Sequence, residues 1–245
     1  MVLLLLAAAL ASRGALSPPS LPRGLARPPV RAQRVRSPPC MSSAESPLKA
    51  RLLAAAAASG RGFETSEAQK AEVLRLIREL VASSPPPPDR ADVDGDWELL
   101  WTDAPDILGL QGGPVASLRR IGQQIDTSAG TIENVIEYEP ARWNPLVAPL
   151  GAQDDRVQQR VLLTFVSSGQ RYELRLAGTA FRFETLLGVK LGALRRLEFK
   201  GPFDVPFGSF DLLYNDGSLR IVRTLQGFYS LNRKMGPEEG WDAAS

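Results

Sequence analysis

The sequence predicts an all-β antiparallel barrel preceded by a short N-terminal helical segment, a helix pair, and three features of the chain predict it. From Asp92 onward apolar residues recur at every second position between short turn-forming clusters, the pattern of half-buried strands. Residues 66–84 instead carry the 3.6-residue period of an amphipathic helix. Between the two textures stand Pro85, Pro86, Pro87 and Pro88, which cannot continue a helix and form a stiff extended spacer.

Composition narrows the chemistry. The 245 residues are 44% hydrophobic, enough to pack one or two domains. Histidine is absent, so a Ser-His-Asp or Cys-His arrangement cannot form and the commonest zinc ligand is missing. One cysteine, Cys40, rules out an internal disulfide framework or a Cys-rich metal site, and no metal or cofactor is expected. The net charge of +2 hides an asymmetry. The first 44 residues hold six arginines and no acid, which leaves 23 basic against 27 acidic residues elsewhere. The folded part is therefore acidic, and nucleic-acid binding has no compositional support.

Residues 1–42 read as a targeting leader. An apolar run over 2–11 is too short for a bilayer-spanning helix, which needs roughly 20 residues. The Arg-, Pro- and Ser-rich stretch that follows is of the organelle transit type. A signal-like piece joined to a transit-like piece suits import into a plastid bounded by extra membranes; an ordinary secreted protein is the competing reading.

The helical segment spans 46–84. Ser46-Pro47 can open the first helix through a Ser side-chain cap and Pro at its first position, and Gly60 stops it. The second helix opens with a Ser66-x-x-Gln69 capping box, and Val73, Leu74, Leu76, Ile77, Leu80 and Val81 form its apolar stripe. That stripe is expected to dock on the chain's own next domain. After the spacer at 85–91, residues 92–233 supply about nine short strands, followed by a tail over 234–245. Asn215-Asp216-Gly217-Ser218 has the chemistry of a tight hairpin. Closure into a barrel removes exposed strand edges, and a two-sheet sandwich is the competing arrangement.

Strand alternation points Trp97, Leu99, Trp101, Ile121, Phe165, Tyr172, Leu174, Phe181, Phe183 and Phe199 inward. Such a lining suits a lipophilic small molecule, at roughly 25 cal/mol per Å² of apolar surface buried. The same residues could instead fill a solid core.

Gly95-x-Trp97 at the start of the first strand resembles the lipocalin signature, in which the indole plugs the closed end and an Arg from a late strand stacks over it. More of the chain agrees with a narrower group. The runs at 94–102, 121–126 and 134–137, and Gly208, Asp211, Tyr214, Asp216 and Leu219-Arg220-Ile221, resemble in order and spacing the motifs of the plastid lipid-associated protein (fibrillin) family. Ser209-Phe210 stands where that family usually has Trp-Leu. The resemblance implies a lipocalin-like barrel at thylakoid or plastoglobule surfaces that binds prenylquinones, carotenoids or other lipids. It brings no catalytic residues. Gly95, Trp97, Asp211, Arg220 and Arg223 are then expected at the barrel end, with Asp211 and Arg220 as a charged pair and Arg220 or Arg223 over Trp97.

Two apolar loops bear on function. Residues 104–117 follow the first strand and can form a lid, with Ile107, Leu108 and Leu110 covering the mouth or dipping into lipid. Residues 186–194, followed by Arg195-Arg196, suit contact with anionic headgroups. Three functions remain open. The first is a non-catalytic lipid-binding barrel peripheral to a plastid membrane or lipid droplet. The second is a scaffold for an isoprenoid-metabolising enzyme, docked through the helices. The third is an enzyme on an isoprenoid, relying on Asp211, Tyr214 and Asp216.

Overall fold

The computed structural model describes residues 46–88, 92–110, 112–113, 116–141, 155–186, 189–190 and 196–242, with 184–186, 190 and 202–204 described by backbone alone. The leader and most of the 186–194 loop lie outside these residues.

Helix α1 is Pro47–Ala57 and α2 is Glu67–Ser83, joined through a single 3₁₀ turn at Gly60–Gly62. The capping box of α2 forms as expected: the Gln69 backbone N–H donates to Ser66 Oγ, and Ser66 N–H donates to Gln69 Oε1. Ser46 differs from expectation. Its hydroxyl makes no cap bond, and its backbone carbonyl accepts from Ala50 N–H at 3.1 Å. Leu52 and Ala56 of α1 and Val73, Leu76, Ile77 and Leu80 of α2 pack in one cluster with Trp101, Leu219, Ile221 and Leu231. The apolar stripe of the helix pair is thus buried on the chain's own strands. A polar clasp holds the edge of this contact, where Lys49 Nζ donates to Asp216 Oδ2 and Ser218 Oγ, each at 2.7 Å.

The strands are β1 Gly95–Thr102, β2 Gly112–Gly113, β3 Ala116–Asp126, β4 Thr131–Pro140, β5 Arg156–Ser168, β6 Arg171–Leu186, β7 Val189–Lys190, β8 Arg196–Asn215, β9 Leu219–Thr224 and β10 Tyr229–Lys234. A helical turn, α3 (Pro105–Leu108), follows β1. The sheet runs β1-β10-β9-β8-β6-β5-β4-β3-β2, and β1 also pairs with β3, so the ring closes. The fold is a lipocalin-like antiparallel barrel with β2 and β7 as short arms.

Two of the strands are longer than the short runs expected from the sequence. The runs around Tyr172 and Phe181 join as β6, of 16 residues, and those around Phe199 and Phe210 join as β8, of 20 residues. Pro206 is tolerated inside β8 because β9 pairs with β8 only from Phe210 to Asn215, leaving the earlier half of β8 an edge on that side.

Facing residues in an antiparallel pair put their side chains on one side of the sheet. Trp97 faces Gln123, which faces Asn134, then Val161 and Thr179, and this row looks inward. The row Gly122, Val135, Arg160 and Ala180 looks outward. Bulges shift this phase at particular points. Leu99 faces Asn232 while Trp101 faces Leu231, so Leu100 is an extra residue and Trp101 turns to the outer wall. Trp101, expected inside with Trp97 and Leu99, instead anchors the helix pair. The segment after β10, expected as a tail, folds back on the outer wall, with Met235 and Trp241 packed on Val135.

Leu76 is buried between helix and barrel. Leu76→Ala is predicted to cost about 2–5 kcal/mol in urea unfolding, through lost burial and the cavity left behind. A change below about 0.5 kcal/mol would show that the helices do not contribute to the barrel's stability.

Candidate functional site

The interior divides into a packed base and an apolar mouth. At the base, Gly95 has φ +103°, a conformation that favours glycine, and swings the chain into β1. Trp97 is fully buried, and its indole N–H donates to the Val93 carbonyl at 2.8 Å. Around it pack Ile125, Ile132, Leu163, Leu174 and Leu212. Tyr172 lies 5.0 Å from Phe210 in a stacked pair and 5.5 Å from Phe165 in a tilted one. This end is filled.

Arg220 lies over the Trp97 ring with its guanidinium carbon 4.6 Å from the ring centroid, and Lys234 Nζ is 5.6 Å from the same centroid. A desolvated contact of this kind is worth about 2 kcal/mol. Arg220 is fully buried, which lowers its pKa to about 9 and leaves it cationic at neutral pH. Its Nη2 donates to Gln123 Oε1 at 2.6 Å, and Gln123 Nε2 donates to Asn134 Oδ1 at 2.9 Å. A polar chain therefore crosses the barrel just above the plug.

Above that layer the lining is apolar again. Leu99, Ile121 and Ile136 are buried, and Leu118, Tyr138, Ile107 and Leu110 pack against them. Ile107 and Leu110 of the loop after β1 thus pack on this apolar layer, beside a half-buried Leu108. Burial pushes the Tyr138 phenol above its ordinary pKa. Phe181 faces Gln159, Phe183 faces Val157, and Phe199 faces Thr179, so all three look inward. Phe181 and Phe183 are only half-buried, and Leu197 and Phe199 are 44% and 59% exposed. The upper interior wall presents aromatic and aliphatic surface to the outside.

The expected charged pair does not form. Asp211 lies on the outer wall, where Arg171 Nε donates to its carboxylate at 2.9 Å and Arg223 Nη2 approaches to 3.7 Å. It is set apart from Arg220 because β8 and β9 place Asp211 opposite Arg223 and Asn215 opposite Arg220, three positions away along β9. Arg220 is the arginine over Trp97, and Arg223 is not.

The family model PAP_fibrillin matches residues 46–230. The chain belongs to the PAP/fibrillin family. It is 31% identical over 205 residues to "Probable plastid-lipid-associated protein 3, chloroplastic" of Arabidopsis thaliana, covering 71% of this chain and 54% of the relative. It is also 31% identical over 203 residues to "Plastid lipid-associated protein 3, chloroplastic" of Brassica campestris, covering 71% of this chain and 56% of that one. An Oryza sativa relative, named like the Arabidopsis protein, is 35% identical over 82 residues, 31% of this chain and 22% of its own. The chain spans about half the length of the curated relatives it matches over its main part. No solved structure matches it.

The stretch resembling the fibrillin C-terminal signature builds the β8–β9 hairpin, and its acid–base candidates are engaged there. Asp216 accepts from Lys49 Nζ, from Tyr214 Oη at 2.8 Å, and from the backbone N–H groups of Ser218 and Leu219. Burial raises the Asp216 carboxyl, but these donors outweigh it and hold the group well below the usual carboxylate range. Burial and the neighbouring carboxylate push the Tyr214 phenol far up. Both side chains serve the turn and the helix clasp. Among the described residues no group of three or more Asp, Glu, Cys or His side chains is placed to hold a metal ion.

Because the folded-state pKa of Asp216 is depressed, its contribution is complete above the unfolded value of about 3.9 and is lost as pH falls below it. The urea midpoint of the chain is predicted to fall more steeply between about pH 5 and pH 3 than that of Asp216→Asn. Parallel curves for the two proteins would contradict this.

Proposed function

We propose that this chain is a plastid lipid-associated barrel that holds a lipophilic small molecule, such as a prenylquinone or a carotenoid, in the mouth above its Trp97 plug. It would work peripherally at a thylakoid or plastoglobule surface, without catalysing a reaction. The observation that carries this reading is the contrast within the barrel interior: a packed base under a mouth whose inward Phe181, Phe183 and Phe199 stay partly or largely exposed. Exposed apolar surface of this kind marks a binding surface. The transit-like composition of residues 1–42 and the chloroplastic names of the relatives support the plastid.

Two other readings have less support. A scaffold docking an isoprenoid-metabolising enzyme through the helices would need a free apolar helix face, and that stripe lies against the barrel. Catalysis by Asp211, Tyr214 and Asp216 would need groups that are not already committed to neighbouring cations and backbone donors.

The test is extraction from vesicles. Purified chain incubated with phosphatidylcholine vesicles loaded with plastoquinone or β-carotene is expected to re-elute with ligand bound. Phe181→Ser combined with Phe183→Ser is predicted to lower the retained ligand at least about tenfold, since each half-exposed ring offers roughly 2 kcal/mol of burial. Failure to retain either compound, or retention unchanged in the double variant, would overturn the reading.

A further inference from the structure

The outer wall of β3–β6 carries a second built site, distinct from the barrel interior. Its outward rows alternate as a solvated face would, yet Arg160 and Arg182 are 0% and 5% exposed. Residues 235–242 cover them. Met235 N–H donates to the Asp96 carbonyl at 2.8 Å, the chain turns at Gly236–Glu239, and Trp241 enters a slot. Gly122 is the floor of that slot: a Cβ there would lie 2.8 Å from Trp241 Cζ2 and 1.9 Å from the Trp97 carbonyl. Arg120 closes it, with its guanidinium carbon 4.9 Å from the indole centroid.

Every polar group of Trp241 is met. Its indole N–H donates to the Gln123 carbonyl at 3.1 Å, and its backbone N–H donates to Asp96 Oδ2 at 3.0 Å. Its carbonyl accepts from Gln158 Nε2, Arg160 Nη2 and Arg182 Nη1 at 3.1, 3.3 and 2.8 Å. The Asp242 carboxylate accepts from Arg160 Nη2 at 2.9 Å, from Arg182 Nη1, and from Gln124 Nε2 at 3.0 Å. The two sides are unequal. The arginines belong to the barrel wall and are buried, whereas the Asp242 side chain is 54% exposed on a segment that joins no strand. Arg160 also holds wall partners of its own, Glu133 at 2.8 Å and Gln124 at 2.9 Å, so departure of the segment does not strand its charge.

We propose that this groove is a peptide-recognition site for a tryptophan followed by an acidic residue, and that residues 235–242 are its resident, exchangeable occupant. A partner protein presenting such a segment binds by displacing it. The indole slot and the arginine pair supply recognition, and the tethered occupant, at an effective concentration in the millimolar range, sets the threshold a partner must exceed.

The experiment uses the full chain with Trp241→Ala and Asp242→Ala, which disarms the resident segment, and a fluorescent peptide with the sequence of residues 235–242. Anisotropy is expected to show saturable binding to the disarmed chain and at least about tenfold weaker binding to the wild-type chain. A peptide with Ala in place of the tryptophan is expected to bind at least about tenfold more weakly as well. No binding by a folded disarmed chain, or equal binding of the two peptides, overturns the proposal. A disarmed chain that fails to fold overturns exchangeability. Hydrogen exchange of the wild-type chain gives an independent measure: the Trp241 indole N–H is expected to exchange at least about a hundredfold faster than that of Trp97, by local opening. Equal rates would mean that the segment opens only when the barrel unfolds.

Discussion

The pairing of β1 with β10 on one side and β3 on the other is the constraint on which the remaining structure depends, because it turns a long open sheet into a ring. Two fully buried tryptophans on this eight-residue strand then face opposite ways. Trp97 seals the inside under Arg220, and Trp101, displaced by the bulge at Leu100, receives the helix pair on the outside. Each ring buries about 150–250 Å², an upper estimate of roughly 4–6 kcal/mol at 25 cal/mol per Å². Base plug, ring closure and helix docking are therefore parts of one local arrangement.

Unequal strand lengths give that ring one tall side. β9 and β10 have six residues each, while β5, β6 and β8 have 13, 16 and 20. Above the point where β9 stops, the inner faces of β6 and β8 continue without an opposite wall of equal height, and there Leu197 and Phe199 are exposed. Pro206 on the unpaired side of β8 interrupts the edge donors, which disfavours the addition of another strand. Non-directional apolar contact suits such a surface better than backbone pairing.

Much of this was legible in the sequence because it rests on local chemistry. Ser66 and Gln69 cap α2, Asn215 to Ser218 turn β8 into β9, and the alternation of Trp97 and Leu99, or of Tyr172 and Leu174, gives their common face. What escaped depends on long-range register. Nothing in Leu99-Leu100-Trp101 marks Leu100 as an extra residue; only its pairing with Asn232 and Leu231 does. The same holds for Asp211 and Arg220, whose separation follows from how β8 aligns with β9. Gln158, Arg160 and Arg182 occupy the polar, outward positions of their strands, and their burial depends on Trp241 and Asp242 returning from about 60 to 80 residues along the chain. A tryptophan close to an otherwise polar tail was the available signal.

The central claim is that a lipophilic guest enters from the tall side and stops above the plug. Nuclear Overhauser contacts between an isotope-labelled prenylquinone and assigned aromatic side chains test it most directly. Contacts to Phe181, Phe183 and Phe199, with none to Trp101, are predicted. Contacts confined to the helices or to the outer wall around Trp241 would contradict it.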